Sequence, residues 1–392
     1  MFRRSLTVAW TIGLALSLGV VGCGPVEDVS QGDGDVGTDE SNVGDSQIPP
    51  PPNGKLYFGV FPGDETASGM EDEVSLDLVQ SFEQAVGKQV AWTYFSHNWY
   101  RGRAFPTQTV EWIRNTGAIP YVRLMLRSDG EQDHAEPVYS LSAILSGQFD
   151  SDLQDWGSAA ADFGTPLLAE WGTEFNGEWF SWNGIWNGGG TTDGFGDPGR
   201  ADGPERFVAA YQHIVDIIRG EEADNITWVF HVNAPDVPDE EWNRFENYYP
   251  GDDYVDWLAI SVYGAGTPMD TGVESFREQL DVEYERLDAL AAGKPIIVAE
   301  MGSSANNADI SPEDWTDAAL TDLFNGRWPR IIGFAWWNEA WQNDDNPAHD
   351  TTMRVQDVPN LAALFQDQLE RNSARLQEQV VFGAARAGAA TP

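Results

Sequence analysis

Two glutamates, Glu174 and Glu300, each follow an apolar run of the sequence, residues 167–171 and 295–299. Two carboxyl groups about 5–5.5 Å apart can cleave a glycosidic bond with retention, because one protonates the departing oxygen and the other attacks the anomeric carbon. Beside an apolar wall each group is partly desolvated, and a charged partner raises the pKa of the acid further. Either glutamate alone is compatible with a salt bridge or a helix cap, but the pair in an aromatic surround predicts glycoside hydrolysis.

Eight apolar, strand-like runs alternate with amphipathic stretches such as Phe207–Arg219 and Val273–Ala292. The runs are Leu56–Phe61, Val90–Phe95, Ile119–Met125, Pro166–Trp171, Ile226–Val232, Val255–Val262, Pro295–Ala299 and Ile331–Trp337. Several are almost continuously apolar, as expected for parallel strands that are covered on both faces. This order predicts a single α/β catalytic domain, a (β/α)8 TIM barrel over residues 55–370. A doubly wound sheet is the alternative, but no Gly-rich phosphate loop follows the first run.

The carboxyl ends of the strands are where such a barrel places its chemistry. Strands 4 and 7 lie across the barrel mouth from each other, so Glu174 and Glu300 can face each other over a bound sugar. The polar and aromatic residues at the strand ends are His97, Arg123, Arg127, Glu174, Asn176, His231, Asn233, Tyr263, Glu300, Trp336, Trp337 and Glu339. His97 and His231 either hydrogen-bond sugar hydroxyls or make structural hydrogen bonds.

The chain contains 17 tryptophans, more than packing usually needs, and sugars commonly bind on exposed aromatic faces. The candidates for sugar platforms are Trp99, Trp179, Trp182, Trp186, Trp336, Trp337 and Trp341. Some of them could instead belong to the core. Trp336 and Trp337 are adjacent in a strand, so their side chains point to opposite faces and only one can face the barrel interior.

Four separated motifs resemble those of glycoside hydrolase family 26, and they occur in the family's order. They are the acid/base segment Glu174-Phe175-Asn176-Gly177-Glu178-Trp179-Phe180-Ser181-Trp182, the strand-5 residues Trp228-Val229-Phe230 and Asn233, the approach Tyr248–Trp257 to strand 6 with Tyr263, and the nucleophile strand Ala299-Glu300-Met301-Gly302. The resemblance covers residues 55–370. It implies retaining hydrolysis of a β-linked glycan.

The resemblance also implies a role for individual residues. Glu174 matches the family's acid/base and Glu300 its nucleophile. Tyr263 matches the tyrosine that orients and stabilises the nucleophile, and Asn176 is expected to support the site near Glu174.

Two positions depart from the family pattern, and they bear on the choice of sugar. Thr173 stands where family mannanases usually carry a histidine directly before the acid, and Arg123 or Arg127 stands where a strand-3 histidine is expected. We expect β-1,4-mannan or glucomannan as the substrate because mannan hydrolysis is the commonest activity of the family, and the two departures keep mixed-linkage β-glucan or β-xylan as the alternative.

The net charge of −41 excludes several partners. Nucleic acid contacts need Lys and Arg, and an anionic polysaccharide would be repelled. A neutral polysaccharide meets no such objection. With five histidines and no His-x-His or His-Glu-x-x-His pattern, the sequence predicts no metal or other cofactor and disfavours a metal-dependent hydrolase or deacetylase. A glycan-binding lipoprotein that has lost catalysis is a further alternative, against which both carboxylates and Tyr263 argue.

The first residues have the pattern of an exported lipoprotein. Two arginines precede the apolar stretch Leu6–Val21, and the run Val20-Val21-Gly22-Cys23 resembles a lipobox. We expect residues 1–22 to be a signal peptide and Cys23, the single cysteine, to be lipidated, with an ordinary signal peptide as the alternative. Gly24 favours an outer-membrane or cell-surface location, with the membrane contacted through the lipid alone.

The segments on either side of the barrel have a different composition. Residues 23–54 are acidic and Pro-rich and predict a disordered tether. Residues 371–392 are predicted to be a helical extension or a frayed tail. We expect the protein to be a monomer.

Overall fold

A computed structural model describes residues 47–64, 71 and 74–381. The predicted signal peptide, Cys23, the tether before Gln47 and residues 382–392 of the predicted tail lie outside the described residues.

Eight parallel strands form a closed barrel, which confirms the predicted fold class. Each strand pairs with its neighbours in the sequence, and the eighth pairs with the first from Tyr57↔Gly333 to Phe61↔Trp337. The strands are β1 (Leu56–Phe61), β2 (Trp92–Asn98), β3 (Ile119–Met125), β4 (Leu167–Trp171), β5 (Ile226–Asn233), β6 (Trp257–Tyr263), β7 (Ile296–Gly302) and β8 (Ile331–Trp337).

Helices surround the barrel, with serines at several of their starts. The side chains of Ser75, Ser275 and Ser311 each accept a hydrogen bond from a backbone N–H of the first turn. This N–H has no acceptor within the helix itself. Short 3₁₀ turns, and no α-helix, connect β5 to β6. The helices are α1 (Leu76–Val86), α2 (Thr107–Thr116), α3 (Leu141–Leu145), α4 (Asp150–Phe163), α5 (Asp202–Arg219), α6 (Phe276–Leu290), α7 (Pro312–Asn325) and α8 (Pro359–Arg371).

Side chains alternate along each strand between the barrel interior and the helices. On β8, Trp337 stacks on Phe61 of β1 inside the barrel, with 3.9 Å between ring centroids. Its neighbour Trp336 instead packs edge-on against Phe365 of α8. The same alternation on β4 turns Trp171 towards α5 and leaves the preceding residue facing the interior.

The described ends of the chain contact the barrel. Ile48, within the predicted tether, is buried, and its N–H donates to the hydroxyl of Thr227 on β5 (2.9 Å). After α8 the chain forms a short 3₁₀ turn and a two-residue strand, Leu376–Gln377, that pairs with the start of β1. The described part of the predicted C-terminal extension therefore contains no α-helix beyond Arg371. Among the described residues, no helix is long and apolar enough to cross a membrane.

Candidate active site

A sharp turn after β4 brings Glu174 to the barrel mouth. Gly172 has φ +73° and Glu174 itself has φ +49°, both in the left-handed region. A Cβ atom at residue 172 would lie 2.4 Å from the ring of Phe207, so only glycine fits there. The Glu174 N–H donates to the carbonyl of His231 (2.9 Å), which fixes the turn to β5. A left-handed non-glycine residue costs free energy and is often found at a functional site.

The segment after the turn folds back around the Glu174 side chain. The indole Nε1 of Trp179 donates to Glu174 Oε2 (2.8 Å), and the amide of Asn183 donates to the Glu174 carbonyl (2.8 Å). Trp182 is buried, and its Nε1 donates to the carbonyl of Thr173 (2.8 Å). Of the two predicted platforms in this segment, Trp179 thus orients the carboxylate while Trp182 holds the loop.

Asn176 joins the loop after β4 to the loop after β5. Its Nδ2 donates to the carbonyl of Asn233 (2.8 Å) and to Asp236 Oδ1 (2.9 Å), and its Oδ1 accepts from the N–H of Asn233 (2.8 Å). Asp236 in turn accepts from Arg286 of α6 (2.8 Å). Asn176 is fully buried, so it supports the loop that carries Glu174 from the protein interior.

Glu300 on β7 is buried and receives hydrogen bonds on both oxygens. The Tyr263 hydroxyl donates to Oε2 (2.8 Å), the Tyr94 hydroxyl lies 3.1 Å from Oε1, and Arg123 Nη2 lies 3.4 Å from Oε1. Burial raises the pKa of Glu300 to about 7; the charge of Arg123 opposes this increase and the charge of Glu174 adds to it. The two glutamates therefore interact across the barrel mouth.

A third carboxylate, Glu170, lies at the floor of the site. It stands on β4 with no exposed surface and accepts hydrogen bonds from Tyr94, from Tyr121 (2.6 Å) and from His231 Nδ1 (3.0 Å). Burial works against its ionisation, but the charge and hydrogen bond of His231, with the charge of Arg123, outweigh burial and hold the pKa of Glu170 below its usual range. The sequence interpretation missed this residue; its signal was an acidic residue inside an otherwise apolar strand.

His231 is the imidazole partner of this carboxylate. Burial opposes its protonation, but Glu170 outweighs burial, so the pKa of His231 is raised. Its Nδ1 lies 3.0 Å from Thr173 Oγ1 as well as from Glu170, and its Nε2 is hydrogen-bonded with Ser261 Oγ (2.9 Å). Both ring nitrogens are thus engaged within the protein. Thr173, at the position before the acid, faces β5.

Arg123 lies between the carboxylates and an aromatic wall. Its Nη1 donates to Glu71 Oε2 (2.8 Å), and its guanidinium lies 5.2 Å from the ring centroid of Phe180 and 5.5 Å from that of Trp337. The Trp337 indole donates to Glu339 (3.1 Å), a buried group whose pKa burial raises to about 8, with the charge of Glu71 adding to the increase.

Arg127, the other strand-3 arginine, lies beside this cluster. Its Nε donates to Asn98 Oδ1 (2.7 Å), and its Nη2 lies 3.8 Å from the Glu71 carboxylate.

Three predicted sugar contacts lie in the core instead of the site. Trp99 packs on Tyr139 (5.4 Å between centroids), and Trp336 donates to the carbonyl of Met353 (2.7 Å) on the outer side of the barrel. His97 Nδ1 accepts from Trp156 of α4 (3.3 Å), and burial lowers the pKa of His97 to about 4, so it is neutral. His97 on β2 and Trp336 on β8 point away from the barrel interior, as the alternation of side chains along their strands requires. Trp99 lies in the loop that follows β2.

The structure thus brings together Glu174, Glu300, Tyr263, Arg123 and Trp337 of the predicted residues. A closed (β/α)8 barrel with two buried, interacting carboxylates after β4 and on β7 is an arrangement typical of the glycoside hydrolases. The model of "Glycosyl hydrolase family 26" matches residues 138–348, and the chain belongs to this family.

Curated relatives and a solved structure agree with this membership. The chain is 24% identical over 301 residues to Endoglucanase H of Acetivibrio thermocellus, an alignment that covers 76% of this chain and 29% of that protein. It is 27% identical over 179 residues to Mannan endo-1,4-beta-mannosidase A and B of Caldalkalibacillus mannanilyticus, covering 44% and 28%. The chain therefore spans under a third of these relatives.

The structure of GH26C from a Muricauda species shares the fold. The TM-score is 0.59 at 15% sequence identity, and the superposition covers 87% of this chain and 91% of that one.

Proposed function

We propose that the protein is a retaining endo-β-glycosidase that hydrolyses a neutral β-linked polysaccharide by double displacement. One observation carries this proposal: Glu174 and Glu300, at opposite sides of the barrel mouth, are both buried, and the charge of Glu174 acts on the ionisation of Glu300. Interacting carboxylates in this setting can divide the roles of acid and nucleophile between them.

The two steps use the same pair of side chains. In the first, Glu174 protonates the glycosidic oxygen while the Glu300 carboxylate attacks the anomeric carbon, so the aglycone leaves and a glycosyl ester forms. In the second, Glu174 takes a proton from water, the water oxygen attacks the anomeric carbon, and the Glu300 carboxylate is released. Tyr263 holds Glu300 in place during both steps, and Trp179 orients Glu174.

β-1,4-Mannan or glucomannan is the substrate we propose, with mixed-linkage β-glucan or β-xylan as the alternative. Support for mannan comes from the relative named as a mannan endo-mannosidase, and support for glucan from the relative named as an endoglucanase. The side chain of Thr173, at the position where the resemblance places a histidine in mannanases, is buried and contacts His231. Trp337, stacked on Phe61 inside the barrel, is the platform we propose for the reacting sugar.

A substrate panel tests this assignment. Mannan, glucomannan, lichenan and xylan would be incubated with the enzyme, and product sizes measured. We expect rapid loss of viscosity and a ladder of oligosaccharides on at least one polymer. Binding to these polymers without any shortening would instead support the alternative of a glycan-binding protein that has lost catalysis.

Azide rescue separates the roles of the two glutamates. With an activated aryl β-glycoside, Glu300→Ala is expected to lose activity by several orders of magnitude and to yield the α-glycosyl azide when azide is added, because azide replaces the nucleophile directly. Glu174→Ala should yield the β-glycosyl azide, formed from the ester. Glu111→Ala, at an exposed position of α2, serves as the control and should retain full activity. An active Glu300→Ala enzyme without azide would contradict the assignment.

We also propose that the mature protein is anchored to the cell envelope through a lipid on Cys23. The support is the lipobox-like run that ends in the chain's single cysteine. Metabolic labelling with an alkyne fatty acid should mark the wild-type protein and not Cys23→Ser, and the wild type should sediment with membranes. Equal labelling of both proteins would contradict lipidation at this position.

A further inference from the structure

The buried carboxylate Glu170 has no part in the double displacement, yet one hydroxyl connects it to the nucleophile. The Tyr94 oxygen contacts Glu170 Oε1 and also lies 3.1 Å from Glu300 Oε1. A phenol has a single proton and can donate it to one acceptor at a time. Burial, with the charge of Glu170, raises the pKa of Tyr94 well above its usual value, so the hydroxyl keeps that proton. The two carboxylates therefore compete for one hydrogen bond.

The groups around Glu170 keep it ionised. Tyr121 donates to it from β3 and His231 from β5, and Arg123 Nε lies 3.8 Å from Glu170 Oε1. Glu300 has a weaker set of donors, and it is uncharged once it has formed an ester. Glu170 is then the better acceptor for the Tyr94 proton, whereas an ionised Glu300 can draw the proton to itself.

We propose that Tyr94 turns its hydroxyl between two acceptors, donating to Glu170 while Glu300 is protonated or esterified and to Glu300 while Glu300 is a free carboxylate. No covalent bond changes in this turn, because the proton stays on the Tyr94 oxygen. Glu170 is a positioning residue that acts on Glu300 through Tyr94. The proposal rests on Glu300 as the nucleophile for its catalytic meaning, but the hydrogen-bond exchange itself occurs in the free enzyme.

This exchange links the ionisation of Glu300 to the departure of the sugar. While Glu300 is protonated, the Tyr94 hydroxyl donates to Glu170. When hydrolysis of the ester releases Glu300 as a carboxylate, the Tyr94 hydroxyl again donates a hydrogen bond to Glu300. This hydrogen bond stabilises the negative charge. The charged and titratable groups that face Glu300 come from β2 to β6: Tyr94, Arg123, Glu170, Glu174, His231 and Tyr263.

The test measures Glu300 directly, without substrate. Glutamate labelled with ¹³C at Cδ is incorporated into the full chain, and the Glu300 resonance is identified as the one missing from Glu300→Gln. In Tyr94→Phe we expect the acid dissociation constant of Glu300 to fall about tenfold, because its carboxylate loses a donor. In Glu170→Gln we expect it to rise about tenfold, because Tyr94 is released to Glu300 and a neighbouring negative charge is removed.

Tyr121→Phe is the matched control. Tyr121 donates to Glu170 (2.6 Å) from the neighbouring strand, and its ring lies 4.3 Å from that of Tyr94 between centroids. Its removal should change the Glu300 constant by no more than about twofold, since it makes no hydrogen bond to Glu300. The proposal is overturned if Tyr94→Phe and Tyr121→Phe shift Glu300 equally, or if Tyr94→Phe and Glu170→Gln shift it in the same direction.

A double variant tests whether Glu170 acts through Tyr94. In the Tyr94→Phe background, Glu170→Gln should have a smaller effect on Glu300, because only the removed negative charge still acts there. An undiminished effect would overturn the relay through the hydroxyl. Should Glu170→Gln fail to fold, the comparison of Tyr94→Phe with Tyr121→Phe still decides the matter.

The NMR titration tests the hydroxyl exchange and the hydrolysis assays test the hydrolase function, so either claim can fail without the other. A smaller effect of Glu170→Gln in the Tyr94→Phe background, without any polysaccharide cleavage, would support the hydroxyl exchange and contradict the hydrolase function. Cleavage through Glu300 with no difference between the two tyrosine variants would support the hydrolase function and contradict the exchange.

Discussion

The two glutamates differ in their surroundings, and this difference supports the roles that we propose for them. Glu174 lies at the mouth, where an indole N–H orients it beside the cleft. Glu300 lies deeper, between two tyrosine hydroxyls and an arginine. A proton donor to a leaving group has to reach the cleft, whereas a nucleophile has to be held rigidly below the anomeric carbon.

The raised pKa of Glu300 predicts the acid limb of the activity profile. Only the ionised carboxylate attacks, so protonation as the pH falls through about 7 removes the nucleophile. We expect kcat/KM, which reports the free enzyme, to fall about tenfold for each pH unit below that point. Initial rates between pH 5 and pH 9 on the best substrate of the panel measure this. A profile that stays flat down to pH 5 would show that Glu300 is ionised throughout.

The sequence indicated carboxylates that follow an apolar run more clearly than a carboxylate inside such a run. Glu174 and Glu300 stood out in the sequence because each follows an apolar run and lies in a recognisable motif. Glu170 lies inside the run before Glu174, and its partners His231 and Arg123 stand on other strands, so only the closed barrel shows that they meet. The burial of His97 was equally hidden, because the sequence does not show which helix covers a strand end.

The loops after β4 and β5 are the elements that position Glu174. The turn at Gly172 aims Glu174 at the cleft, and the chain Arg286–Asp236–Asn176 holds the two loops together from the side of α6. The strand bounds were predicted to within three residues, because apolar runs reveal them. The loop contacts were not, because they join residues about 60 positions apart, such as Asn176 and Asp236.

Gly172→Ala tests the turn. The added methyl group would meet the Phe207 ring, and the positive φ disfavours any side chain. We expect the free energy of unfolding to fall by about 2–4 kcal/mol, measured by urea titration, together with a loss of kcat. Gly164→Ala is the control: its φ is +67° but its nearest neighbour would be 3.6 Å away. If both variants lost the same stability, the ring contact would have no role.

Arg286→Met tests the support behind the loops. Arg286 donates to Glu283 (2.7 Å), Asp236 (2.8 Å) and Glu246 (2.6 Å), and its removal leaves the buried Asp236 and Glu283 without their cation. We expect a loss of about 3 kcal/mol in the free energy of unfolding. Arg244→Met, which removes an exposed ion pair with Glu241, should cost less than about 1 kcal/mol. Equal losses in the two urea titrations would contradict the importance of the buried cluster.

At the scale of the whole molecule, the order of strands and helices was enough to predict the barrel. The two ends of the described chain were not predicted, because a two-residue strand such as Leu376–Gln377 has no periodicity and a Pro-rich segment gives no sign of what Ile48 contacts. The lipid anchor on Cys23 lies outside the described residues and stays a prediction. The net charge of −41 is a property of the whole chain and has its own consequence for stability.

Salt is expected to stabilise this protein. Like charges repel in the compact state, and added ions screen that repulsion over about 10 Å at 0.1 M. We expect Tm to rise as NaCl is increased from about 0.02 M to about 0.5 M, as measured by scanning calorimetry at constant pH. A Tm that falls over this range would show that attractive ion pairs, such as those of Arg286, outweigh the net repulsion.

The configuration of the first product tests the central claim most directly. The best substrate of the panel would be hydrolysed in an NMR tube, and the anomeric signals recorded before mutarotation. Because double displacement through Glu300 inverts the anomeric carbon twice, we expect the β-anomer of the new reducing end to appear first. If the α-anomer appears first, hydrolysis occurs in a single displacement, and Glu300 is not the nucleophile.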